Sequence, residues 1–277
     1  MNRYAVLVAS GVLALIAIGA YVTSRATAPQ MNAHGPLDAN LHAGAAILVG
    51  ALALYFVLRQ SDLLAALAGW TFLALFAIQG SAGWMGARIL HATLAPLVFA
   101  GAVAVVLVGS RTWETSETVD DRTVPLLRPL ALAGPPLVLL QTLLGALYRH
   151  KLAGVIPHLA GAMIVALTAL VAVTLVFQRC PASHPLRSGA KWLMAAVLSQ
   201  VGLGVAAFAI QLLGVASTGV LVTATTSHVV VGSVTMSASV AFAMQVQRLV
   251  RRSSKEASSP PEAGAHTTAG LAPGASL

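Results

Sequence analysis

Residues 158–179 read His-Leu-Ala-Gly-Ala-Met-Ile-Val-Ala-Leu-Thr-Ala-Leu-Val-Ala-Val-Thr-Leu-Val-Phe-Gln-Arg. One imidazole opens the stretch, one guanidinium closes it, and almost everything between is apolar. The 21 residues from His158 to Arg179 cover about 32 Å at roughly 1.5 Å per helical residue, which is one hydrocarbon thickness. The stretch therefore predicts a membrane-spanning helix with a histidine near one face. The same pattern recurs from His42 to Arg59, from His91 to Arg111 and from His228 to Arg248, with gaps of 17, 20 and 20 residues. Every second apolar run carries one such histidine, so four imidazoles are expected at one depth.

Composition agrees with that reading. The chain has 277 residues, 57% hydrophobic and only 9% charged, where soluble domains carry about 25% charged residues. This is the composition of an integral membrane protein. The formal charge of +8 does not mark a nucleic-acid binder, because the basic residues stand between apolar runs and orient helices. A single cysteine, Cys180, excludes an intramolecular disulfide and a cysteine metal cluster.

The predicted spans are 4–22, 42–58, 63–80, 89–109, 130–148, 157–177, 192–213 and 221–246. The first is longer than a signal-peptide core, and Pro29 follows the cleavage-like Ala26-Thr27-Ala28, so it is expected to stay as a helix. Twelve lysines and arginines fall on the side of both termini, and four, Arg25, Arg88, Arg149 and Lys151, on the other. The positive-inside rule then places both termini in the cytoplasm, with the four histidines near the outer surface.

The expected fold is all-α, eight transmembrane helices arranged as two repeated four-helix bundles. Residues 1–111 form the N-terminal half. Residues 112–129, with Glu114, Glu117, Asp120 and Asp121, form a polar cytoplasmic linker, and 130–252 form the C-terminal half. The Ser-, Ala-, Gly- and Pro-rich stretch 253–277 is expected to be a disordered tail. The repeat shows in His42-Ala43-Gly44-Ala45 beside His158-Leu159-Ala160-Gly161-Ala162, and above all in the equal placement of the histidines.

Ionisable residues in membrane helices point to function. Facing pairs in a four-helix bundle are a standard way to hold a metal or cofactor. Carboxylates are nearly absent from the runs and the thiol lies at the far side, which argues against zinc and di-iron carboxylate sites. Two imidazoles in apolar surroundings suit a haem. The expectation is two haem sites, His42 with His91 and His158 with His228. Arg88, one turn before His91, and Arg149 and Lys151, just before His158, are candidate partners for haem propionates. Gln79, Gln141 and Gln200 each precede a glycine by four residues (Gly83, Gly145, Gly204); helix packing is the expected role. Met85 and Met163 are expected to fill space, and Trp84 and Trp192 to lie in an interfacial belt. His34 and His150 are expected in exposed loops, and His184 and His266 without partners.

The stretch Gln141-Thr142-Leu143-Leu144-Gly145-Ala146-Leu147-Tyr148-Arg149-His150 resembles the fifth-helix motif of the haem A synthase family, membrane proteins of cytochrome oxidase assembly. Gly19-Ala20-Tyr21-Val22-Thr23 resembles its first-helix counterpart, and the helix and histidine pattern is similar throughout residues 4–247. The resemblance implies an oxidoreductase that converts the C8 methyl of haem O to a formyl group. It implies a haem b cofactor at His158 and His228 with Arg149, and substrate haem O at His42 and His91 with Arg88. It further implies a haem O synthase as supplier, an electron donor, the lipid bilayer as surroundings and a possible homo-oligomer. Nucleic acid is not an expected partner. Two departures stand out. The family's glutamate three residues before the second-helix histidine is Ala39 here, which leaves Asp38 as the candidate catalytic carboxylate or, equally, as a helix cap. The outer-loop cysteine pair of many bacterial members is missing. The alternatives are a non-catalytic di-haem electron carrier or haem-binding assembly factor, and a transporter with a histidine proton relay.

Overall fold

Among the described residues of the computed structural model, eight helices are long and apolar enough to cross a membrane. It describes residues 3–27, 36–110, 113, 118–120, 124, 126–214 and 218–251. In chain order the helices are α1 (Arg3–Thr27), α2 (Pro36–Leu58), α3 (Leu63–Trp84), α4 (Arg88–Val108), α5 (Leu127–Arg149), α6 (Val155–Arg179), α7 (Pro185–Leu213) and α8 (Thr218–Leu249). Helix is the expected form, since lipid offers no partner for backbone N–H and C=O groups.

The connections are short and chemically explained. Asp62 caps α3 by accepting from the backbone N–H of Ala65 at 2.7 Å. Gly86, at φ 74°, makes the tight turn between α3 and α4 that only a residue at ease in the left-handed region can make. His184, expected to be without partners, is instead buried at 6% exposure and caps α7, its Nδ1 accepting from the N–H of Leu186 at 3.2 Å. Pro185 follows at the first helical position, where its missing N–H costs nothing. So α7 starts seven residues before the predicted 192. Arg187, in its first turns, donates to the backbone carbonyls of Phe177 and Cys180 and closes the end of α6. Burial pushes the Cys180 thiol up, opposed by the nearby Arg187 charge.

Helices α1, α2, α3 and α4 touch in a closed circuit, each against the next and α4 against α1. Helices α5, α6, α7 and α8 do the same. The two circuits meet where α4 lies along α8, with α1 against α8 and α4 against α5 at the flanks. The small Ala100 of α4 is buried there in one cluster with Val138 of α5 and Met236 of α8. Each circuit has its own apolar core, one built on Ala53, Phe56, Phe72 and Phe99 and the other on Leu127, Val176, Leu186 and Phe242.

The linker differs from a simple polar loop. Strand β1 (Val119–Asp120) pairs in parallel with β2 (Val250–Arg251) just past α8, and Val124 and Val250 are fully buried in the adjoining core. The Arg248 guanidinium lies 4.7 Å from the centre of the Trp113 ring. Thus the segment between the circuits is fastened to the end of α8. The boundary at 111–112 and the tail 253–277 fall outside the described residues.

Helix crossings of this tightness predict a specific packing defect. A Cβ at Gly69 of α3 would lie 2.6 Å from Val57 Cγ2 of α2. Gly69→Ala is expected to destabilise by about 1–3 kcal/mol through overpacking, read as a lower Tm in detergent. Val57→Ala in the same protein should restore most of the loss; an unchanged Tm for Gly69→Ala alone would show that the crossing yields freely.

Candidate functional site

The four histidines come together in two pairs. His42 of α2 and His91 of α4 have ring centres 6.4 Å apart and planes at 76°. His158 of α6 and His228 of α8 have centres 6.2 Å apart and planes at 83°. Each pair spans non-adjacent helices of one circuit, across its interior. His228 is ten residues into α8, so that helix runs on for about 15 Å beyond the level of the pair.

What admits an imidazole between helices is a missing side chain opposite it. A Cβ at Gly19 of α1 would sit 3.2 Å from His42 Cε1, and one at Gly83 of α3 2.7 Å from His91 Nδ1. A Cβ at Gly145 of α5 would sit 2.9 Å from His158 Cε1, and one at Gly204 of α7 3.0 Å from His228 Cε1. Every histidine thus rests on a glycine of the helix before it.

Three of the four also meet a glutamine one turn below that glycine. Gln79 Nε2 is 3.0 Å from His91 Nδ1, which donates to the Gln79 backbone carbonyl at 2.9 Å. A carbonyl can only accept, so the proton sits on Nδ1, and the Gln79 amide N–H, 3.3 Å from Nε2, has that lone pair to donate to. Gln141 Nε2 is 3.0 Å from His158 Nδ1 and donates to the His158 carbonyl at 2.8 Å. Gln200 Nε2 is 3.2 Å from His228 Nε2. The glutamines are therefore part of the site, beyond the packing role expected of them. Their spacing to Gly83, Gly145 and Gly204 was the sequence signal.

Arg149 reaches across the seam. It donates to Ala20 O at 3.2 Å and to Ser24 Oγ at 2.8 Å, both on α1, while Thr225 Oγ1 of α8 donates to the same Ser24 Oγ at 3.1 Å. Arg88 is exposed at the start of α4. His150, expected in an exposed loop, is half-buried at the end of α5. Burial lowers its pKa, and the charges of Arg149 and Arg88 lower it further. Met85 and Met163, and Trp84 and Trp192, are exposed on the surface of the bundle. Helix α2 begins at Pro36, which places Asp38 within its first turn, not before it as a cap. The Asp38 side chain, His34 and His266 lie outside the described residues.

No family model, curated protein or solved structure matches this chain.

The chemistry of the donors can be tested against a ligand. Among the described residues no group of three or more His, Cys, Asp or Glu could hold a metal ion. Two imidazoles would leave zinc two ligands short but would suffice for an iron already held by a porphyrin. A metal–imidazole bond is about 2.0–2.1 Å, so two imidazoles on opposite sides of one metal would have centres about 6.3–6.5 Å apart. The observed separations are 6.4 Å in the first pair, inside that range, and 6.2 Å in the second, just below it. Buried Nδ1 atoms of His42 and His228 without a hydrogen-bond partner also mark unmet polar demand.

Two outcomes follow. Gly83→Ala and Gly145→Ala should displace the facing imidazoles and cut haem B affinity about tenfold or more, whereas Gly44→Ala, with nothing within 4 Å, should not; equal haem content in all three purified variants would refute the glycine–imidazole contact as a binding determinant. His150 supplies the second. Its lowered pKa means that the unfolded chain binds more protons at acid pH, so folding loses stability as pH falls below about 6.5. His150→Gln should flatten the fall of Tm between pH 7.5 and 5, and an unchanged slope would show that the group does not titrate differently on folding.

Proposed function

We propose that this chain is a haem-binding membrane oxidoreductase of the haem A synthase kind, converting the C8 methyl of haem O to a formyl group. The observation that carries it is the approach of two imidazoles across the interior of each circuit, 6.4 and 6.2 Å between ring centres, close to what two histidines holding one iron would need. His158 and His228 would hold the haem b cofactor, and His42 and His91 the substrate haem O. Bound there, a porphyrin iron supplies one-electron redox chemistry.

The chain's own residues do the holding. Glycines at 19, 83, 145 and 204 let the imidazoles into the bundle, and apolar helix faces exclude water. Arg149 and Arg88 offer positive charge at the histidine end for propionates. Asp38, on α2 four residues before His42, is the carboxylate that would take or give a proton near the substrate haem.

The same reading includes two repeated halves, and residue offsets support it. The offset that relates Gly19 to Gly145 also relates Ala5 to Ala131 and Val8 to Gly134. That of His42 and His158 relates Ala53 to Ala169 and Phe56 to Ala172. That of Gly83 and Gly204 relates Phe72 to Leu193. Ala5, Val8, Ala53, Phe56 and Phe72 line a small apolar cavity in the first circuit, and their counterparts Ala131, Gly134, Ala169, Ala172 and Leu193 line one in the second. The proposed setting is the bacterial cytoplasmic membrane with both termini inside, a haem O synthase as supplier and a separate electron donor.

The near equality of the two pairs also favours a second reading, a di-haem electron carrier, which needs two alike sites and no catalytic carboxylate. Co-expression with a haem O synthase, followed by haem extraction and mass identification, separates them. Haem A supports the oxidoreductase; haem B or haem O alone supports the carrier; protein without haem refutes both. Within the first reading His158→Ala should remove the tightly held cofactor. Asp38→Ala should keep haem and lose turnover, and full turnover in that variant would remove Asp38 from the mechanism.

A further inference from the structure

The tight turn between α5 and α6 holds a cation where glycine is the usual residue. The N–H of Lys151 donates to the Tyr148 carbonyl at 3.0 Å, and the N–H of Leu152 to the Leu147 carbonyl at 2.9 Å. That double closure of a helix end needs a left-handed residue at Lys151, and its φ is 59°. Among the described residues Lys151 is the only one other than glycine with a positive φ. A side chain in that conformation costs stability that glycine would not. Such costs persist where the side chain serves another end.

Lys151 adds its charge beside two guanidiniums. Arg149 is the last residue of α5, and its bonds to the Ala20 carbonyl and to Ser24 Oγ both come from Nη2. Its Nε and Nη1 keep their N–H groups for another partner. Arg88 is the first residue of α4, which packs against α5, and both Arg88 and Lys151 are exposed. The charges of Arg149 and Arg88 both oppose protonation of His150, so the two circuits bring their guanidiniums near one ring. Among the described side chains the only carboxylate is Asp62, which caps the opposite end of α3. Apolar surface adjoins the cations: Leu90, Leu152 and Ile156 are all exposed.

We propose that Arg88, Arg149 and Lys151 form a site for the phosphate of an anionic phospholipid, where α4 of the first circuit meets α5 of the second. Both arginines stand at the ends of membrane-crossing helices, which is the depth of lipid headgroups. A phosphodiester there accepts from two guanidiniums and one ammonium, and the acyl chains lie on the exposed leucine and isoleucine side chains. That apolar surface favours a lipid over free phosphate. The site goes beyond the haem reading and does not need it, although a haem propionate would compete for the same guanidiniums.

Native mass spectrometry of the full chain, purified in detergent, tests this with phosphatidylglycerol as the probe and phosphatidylcholine and inorganic phosphate alongside. Phosphatidylglycerol should bind in preference to phosphatidylcholine, and excess inorganic phosphate should leave it in place. Lys151→Gly and Arg88→Gln should each weaken phosphatidylglycerol binding about fivefold. Lys191→Gln, near the start of α7 at the opposite end of its circuit, should not. Lys151→Gly should also leave Tm equal or higher, because glycine suits the turn, and a lysine with only a structural role would not give weaker lipid binding in a sounder fold. Equal binding of the two lipids, displacement by inorganic phosphate, or the same loss in Lys191→Gln would overturn the proposal. If Lys151→Gly cannot be purified, Arg88→Gln decides: weaker binding upholds the site and unchanged binding refutes it. Haem content is measured in the same samples, so a haem-free chain that binds the lipid selectively upholds this site while telling against the haem reading.

Discussion

An imidazole inside a lipid-embedded bundle needs room that ordinary helix packing does not leave. Helix axes lie 8–10 Å apart, depending on the side chains at the contact, and a ring fits between neighbours only where one of them presents no Cβ. All four histidines meet that condition through a single glycine on the preceding helix. Everything else about the site depends on it. At all four glycines the nearest ring atoms include Cε1 and Nδ1, so the glycine fixes which ring edge is covered.

The seam between the circuits solves a different problem. Lipid gives helices no hydrophobic reason to associate, so close backbone approach and hydroxyl bonding take that role. At the seam the small Ala100 of α4 is buried in one cluster with Met236 of α8. On α8 the buried Ser237 Oγ donates to the Ser233 carbonyl at 3.0 Å, which satisfies the hydroxyl within its own helix. A separate contact, Thr235 Oγ1 to the Ala196 carbonyl at 3.3 Å, ties α8 to α7.

Run length made the eight helices legible, because only a helix about one bilayer long can use so apolar a stretch. Helix ends were less legible where polar residues continue a helix. The prediction for α8 began at 221, yet Thr218–Gly219–Val220 belong to it, and Thr223 and Thr225 bond their hydroxyls to the carbonyls four residues back, at Gly219 and Leu221. A threonine so bonded looks polar in sequence and behaves as apolar surface. His184 was misjudged for a related reason: a cap is defined by where the helix starts, and the helix start was hidden by Arg187 and Lys191. Pairing of histidines followed from their common depth. The glycine that each one meets did not, since it depends on which helices are neighbours; the recurring Gln-x-x-x-Gly was its only trace, and on α1 even that is missing.

Arg149 shows how a half-buried charge can stand without a carboxylate. Burying an unpaired cation is costly, and its described partners are neutral: the Ala20 carbonyl and the Ser24 hydroxyl. Its position supplies the compensation. Arg149 lies in the last turn of α5, and its donors reach the last two turns of α1, which ends at Thr27. The C-terminal ends of both helices carry partial negative charge from unpaired carbonyls, worth about 0.3–1 kcal/mol each to a cation at an exposed terminus and up to about 2 kcal/mol when partly buried. Two such ends converge on one guanidinium, and Ser24, itself accepting from Thr225 Oγ1, links them to α8. The same logic accounts for Arg25 in the last turn of α1. The cations at the histidine end are therefore placed by helix polarity as well as by any ligand, and a substitution at Arg149 acts on the seam before it acts on anything bound there.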